Sequence, residues 1–142
     1  MVADTSTVEA AVMAILAGDA ALMALLPGGV YWDIAPAGLT AFAIVSQIDH
    51  DDAMVMAPAP VWERPLYLVK ATTKGASRVA VTQAAARIYE LLHAAPLAAE
   101  GYTLMLMQRI KRVPNYVEVD ELTDERWAHC GGHYEILVCQ TT

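Results

Sequence analysis

Residues 74–95, KGASRVAVTQAAARIYELLHAA, constrain the fold more than any other stretch. Val81, Ala84, Ala85, Ile88, Leu91 and Leu92 recur at the i, i+3, i+4, i+7 spacing of one helical face. Arg78, Gln83, Arg87 and Glu90 fall mostly on the other side. This spacing predicts a helix starting near Ala76 or Ser77 and ending before Pro96. Strand-like runs flank it, PLYLVKAT at 65–72 and YTLMLMQRIK at 102–111. A helix with one apolar stripe between two strands buries that stripe against a sheet.

The N-terminal part reads as a first pass of the same kind. Ser6 and Glu9 have the spacing of a capping box, and a helix follows to about Ala17 with Val8, Val12, Ile15 and Leu16 inward. Asp19 can cap a second short segment, AALMALL, which Pro27-Gly28-Gly29 closes. Residues 30–33 are too few to choose between a short edge strand and an ordered loop. Residues 42–49 form the first clear strand, with Phe42, Ile44, Ser46 and Ile48 on one face. The apolar AMVMAPAP segment after Asp52 carries Pro58 and Pro60, which forbid a central strand there. A second strand spans 61–72, and a third begins at Tyr102, apolar on both faces as a central strand would be. Residues 113–126 read as an acidic, mobile connection, and 127–139 as a last strand bulged at Gly131-Gly132. The expectation is one α+β domain over 1–142. Two helices would pack on one face of a mixed, mainly antiparallel four-stranded sheet, in the order α-β-β-α-β-β.

A chain of 142 residues buries enough surface to fold without staples. Cys130 and Cys139 read as free thiols or small apolar residues, the N-terminus lacks a basic signal-peptide region, and no apolar run approaches the ~20 residues of a membrane span. A soluble, cytoplasmic protein with no membrane partner is expected. The net charge of −7 hides a segregation. Residues 1–63 carry −8, residues 64–112 carry +6, and residues 113–142 carry −5. Nucleic-acid binders want net basic surface, whereas opposite-sign patches suit a subunit that meets copies of itself.

Chemistry-bearing motifs are sparse. His129-Cys130-Gly131-Gly132-His133 has metal-compatible residue types, yet zinc needs three or four converging ligands and the spacing matches no closed motif. A Cys–His nucleophile pair would need an electropositive setting, and this segment is acidic. The acidic pairs Asp51-Asp52, Asp120-Glu121 and Asp124-Glu125 lack the alternation of a calcium loop. No phosphate-binding glycine loop or serine-hydrolase elbow is present. Neither a catalytic residue nor a cofactor is expected.

With its elements in order, the chain resembles the tail-terminator (tail-completion) proteins of long-tailed phages and gene-transfer particles. The resemblance rests on the early VEAAVMAILAGDAALMALL pair, the VYWDIAPAG turn and the AFAIVSQI strand. It continues through ERPLYLVKATTKGASRVAVTQAAARIYELL to HYEILV, about residues 7–139. It implies a non-enzymatic virion protein at the head-proximal end of the tail, made in the host cytoplasm. Such a protein forms a homo-oligomeric ring, commonly a hexamer, that caps the tail tube, joins the head-neck connector or stopper and lets DNA pass without specific binding. A small bacterial α+β binding module or a metal-binding protein with no virion role is the alternative.

On the ring reading, Arg64, Lys74, Arg78, Arg87 and Arg109 are expected to meet acids of a neighbouring subunit. Met54, Val55 and Met56 are expected in a contact loop, since an apolar loop needs a cover. At least one acid cluster, Asp51-Asp52 or Asp120, Glu121, Asp124 and Glu125, is expected to border the DNA path, because acidic walls repel phosphates.

Overall fold

A computed structural model describes residues 6–53, 62–75, 77–94, 96–97 and 99–140. The first described elements are α1 (Ser6–Ala17) and α2 (Ala20–Leu25), separated by Gly18 and by Asp19, whose carboxylate accepts the Leu22 amide at 2.8 Å. That is the N-cap its position in the sequence predicts. Then come β1 (Val30–Trp32), β2 (Ala41–Ala53), β3 (Trp62–Lys74), α3 (Val79–Leu92), β4 (Tyr102–Val119) and β5 (Arg126–Gln140).

The strands form one five-stranded sheet in the order β1-β2-β3-β5-β4. β1 runs parallel to β2, and the remaining pairs are antiparallel. This corrects the expected four-stranded sheet with two helices: the described residues form five strands, four of them 13 to 18 residues long, and three short helices. Cross-strand pairing explains the difference. His50, Asp51, Asp52 and Ala53 continue β2 because Pro65, Arg64, Glu63 and Trp62 lie opposite. Residues 113–119 continue β4, instead of forming a mobile connection, because Tyr116, Val117 and Glu118 pair with His129, Ala128 and Trp127. A partner strand supplies what local polarity argues against.

β4 also occupies an edge, not the centre that its apolar faces predicted. Its ladder shifts register three times, between Leu104/Leu106, Arg109/Lys111 and Val113/Tyr116. Each shift re-aims the side chains that follow, so Met107 is buried while Leu106 and Ile110 are exposed. Pro114 sits inside the last shift, where an edge strand tolerates a missing N–H. The expected bulge at Gly131-Gly132 is absent: β5 pairs continuously there with Lys70 and Val69. A Cβ on Gly131 would collide with the Val69 carbonyl oxygen and lie 2.7 Å from Lys70 Cα. The glycine serves close approach of two strands.

The core unites Val8, Val12 and Leu16 of α1, Leu22 and Leu26, and Val81, Ala84, Ile88 and Leu92 of α3. They meet alternate sheet residues, among them Val45, Tyr67, Val69, Tyr134, Ile136 and Val138. Each large side chain buried this way contributes about 1.5–3 kcal/mol. Among the described residues no helix is long and apolar enough to cross a membrane.

Candidate functional site

The His129–His133 segment lies in mid-strand, so its side chains alternate between the two faces of the sheet. His129 faces away from the helices. Its Nδ1 is 3.1 Å from Thr72 Oγ1, its Nε2 is 3.1 Å from Glu118 Oε2, and its ring stacks on Tyr116 at 4.6 Å. Burial, helped by nearby Lys70, holds its pKa below the usual histidine value against the pull of Glu118. His133 is four residues on, about 13 Å along a strand, with its own pKa lowered by burial and by Lys111. Cys130 points to the opposite, helix side, where its thiol lies 3.7 Å from the Val113 carbonyl and burial raises its pKa. The three do not converge on one ion, and a raised thiol pKa is the reverse of what a nucleophile needs.

A different group does converge. After the register shift between Gln47 and Asp49, His50 stands opposite Pro65 and Asp52 opposite Glu63. His50 Nε2 is 3.0 Å from Glu63 Oε1, and the ligand atoms of His50, Asp52 and Glu63 lie within 4.8 Å of one another. Among the described residues this is the set that could hold a divalent cation, one imidazole and two carboxylates. In the sequence Asp51 and Asp52 stand out only as an acidic pair, because Glu63 joins His50 and Asp52 through strand pairing alone.

The expected interface cations divide into two kinds. Arg64 lies 3.8 Å from Asp51, Lys74 3.1 Å from Glu125, and Arg87 2.7 Å from Asp19 and 2.9 Å from Glu90, all within one chain. Arg109 crosses Gly132, whose missing Cβ leaves room for its stem, and stacks 4.0 Å over the Tyr89 ring. Arg78 is exposed at the start of α3 and makes no side-chain cap. Between α3 and β4 lies a depression of about 430 Å³, lined by Ala85, Ala86, Tyr89, Val113 and Pro114, by Thr82 and Asn115, and by Arg109 and Arg112. Met54, Val55 and Met56 lie outside the described residues.

The acids Asp120, Glu121, Asp124 and Glu125 form the β4–β5 turn, which is closed by hydrogen bonds. The Asp120 amide donates to the Glu125 carbonyl at 2.8 Å, the Asp124 amide to the Asp120 carbonyl at 2.7 Å, and the Leu122 amide to the Asp120 carboxylate at 3.0 Å. Leu122, at the tip, is 96% exposed. Leu106, Ile110, Tyr116 and Val119 are also exposed along β4. On the sheet face away from the helices, Phe42, Ile44, Leu68 and Trp127 line a groove of about 480 Å³ beside residues 33–39.

Neither a protein-family model nor a protein of curated function matches the chain. Solved structures do share its fold. A chain in the virion of a native gene transfer agent (GTA) particle superposes with a TM-score of 0.70 at 24% identity, covering 98% of this chain and 99% of that one. A second solved protein superposes at 0.57 with 12% identity, covering 94% of this chain and 95% of that one.

Proposed function

We propose that this chain is a structural protein of a phage-like or gene-transfer particle, forming a ring that caps the tail tube and joins it to the neck. The observation that carries this reading is the end-to-end likeness to a chain of a gene transfer agent virion, with no large insertion or unmatched domain on either side. Exposed apolar residues along the edge strand β4 favour a subunit built to be covered. A closed ring repeats one heterologous contact, so each subunit needs two different, complementary patches. The arginine-bordered depression and the acidic β4–β5 turn have that character.

On this reading the chain has no catalytic task. Its partners are copies of itself, most simply six, the tail tube protein and a connector or stopper of the neck. DNA passes without being gripped. Purified protein examined by native mass spectrometry and electron microscopy, alone and with tail tubes, tests the reading. Closed rings seated on tube ends support it. A monomer carrying stoichiometric metal on His50, Asp52 and Glu63 and ignoring tubes would replace it with a metal-binding role.

A further inference from the structure

We propose that the β4–β5 turn of one copy docks into the depression between α3 and β4 of the next, with Leu122 as the inserted side chain and Arg112 pairing with Glu121 or Asp124. This rests on the ring reading above and names the contact that closes the ring.

The turn is built as a knob. Three hydrogen bonds fix Asp120 to Glu125 in one shape, so Leu122 is held outward and does not fold back onto its own sheet. Large apolar side chains on a rigid turn, surrounded by charge, have the make-up of an interface anchor with a polar rim. Glu125 is taken by Lys74 of the same chain, but among the described residues Glu121 and Asp124 have no cationic partner.

The depression is the matching hole. Its lining is mostly apolar, with Thr82 and Asn115 among it, and its volume of about 430 Å³ admits a leucine side chain. Arg112 on its border has no carboxylate partner among the described residues, and Arg78, beside exposed Val79, continues the same basic surface toward the start of α3. Acidic knob and basic hole are complementary in sign, which favours this pairing over two knobs or two holes.

The contact cannot form within one chain. Cys130 lines the depression, and it lies four residues of extended strand beyond Arg126, about 13 Å. Leu122 lies on the far side of the turn from there. Only a second copy brings them together, and a knob meeting a different patch is the heterologous contact that closes rings.

The native thiol in the hole supplies the test. Leu122→Cys, oxidised with copper phenanthroline, is expected to give a ladder of disulfide-linked chains on a non-reducing gel, and Cys130→Ser in the same background should abolish it. Independently, Arg112→Glu and Glu121→Lys should each raise the concentration needed for assembly at least tenfold, and the two together should restore much of the loss. Leu122→Ser, at an exposed position that leaves the fold intact, should act like the single reversals. Wild-type rings with no ladder, and with Arg112→Glu and Leu122→Ser assembling like wild type, overturn the docking while leaving the ring standing. A wild-type protein that stays monomeric with and without tail tubes overturns both.

Discussion

Arg87 grips Asp19 with two hydrogen bonds, from Nη2 to Oδ1 at 2.7 Å and from Nε to Oδ2 at 2.9 Å, while the same carboxylate caps α2 through the Leu22 amide. The pair ties the first helices to α3 across 68 residues of sequence. The Arg87 hydrogen bonds, then the Leu22 amide, lower the Asp19 pKa from 3.8 to about 2.

The acid limb of stability follows from that shift. The folded state holds its proton less tightly than the unfolded chain, so this contribution is complete above about pH 4 and is lost as pH falls toward 2. Asp19→Asn should lower the urea midpoint at neutral pH and flatten its decline between pH 4 and 2. Arg87→Met should do the same. An unchanged acid limb in both variants contradicts the assignment.

His129 has the opposite chemistry and the same sign. Its folded pKa is lowered by burial, so below about pH 6.5 the unfolded chain takes up the proton more readily and stability falls with acid. His129→Gln should reduce the slope between pH 7 and 5, read from urea midpoints at each pH. A slope identical to wild type counts against it.

Gly131→Ala should cost at least about 1–3 kcal/mol, because its Cβ meets β3 backbone that has nowhere to move. Gly132→Ala should cost less, since the nearest obstacle is the flexible Arg109 stem. Equal midpoints for Gly131→Ala and wild type would sink this account of the glycine pair. As a calibration of the core, Ile88→Ala should cost about 2–5 kcal/mol.

Assigning the β4–β5 turn to subunit contact leaves Asp51 and Asp52, at the opposite end of the sheet, as the acids for a DNA path. Asp51→Lys with Asp52→Lys should leave ring assembly intact and slow DNA release from particles, with salt relieving the delay. Release at the wild-type rate contradicts a channel role for this pair.

Individual elements were legible in the residues, but the sheet they build was not. The stripe from Val81 to Leu92 gave α3, Asp19 gave the α2 cap, and the period-two runs gave the cores of β2, β3 and β5. What escaped depended on partners far away in the chain. Three residues of β1 are a strand only because Ala43, Ile44 and Val45 lie alongside. Tyr116 and Glu118 looked like connection because His129 and Trp127, which hold them in the ladder, come later. The His50, Asp52 and Glu63 group and the α3–β4 depression are likewise products of pairing and packing. Arg64, Lys74 and Arg87 read as free cations in sequence because their carboxylates are distant in the chain or ordinary in type.

The ring is the central claim, and native mass spectrometry of the purified protein across a range of concentrations, with and without tail tubes, tests it most directly. The account predicts a single closed assembly, six copies in the simplest case, that binds tube ends. A monomer or dimer at every concentration, indifferent to tubes, would contradict it.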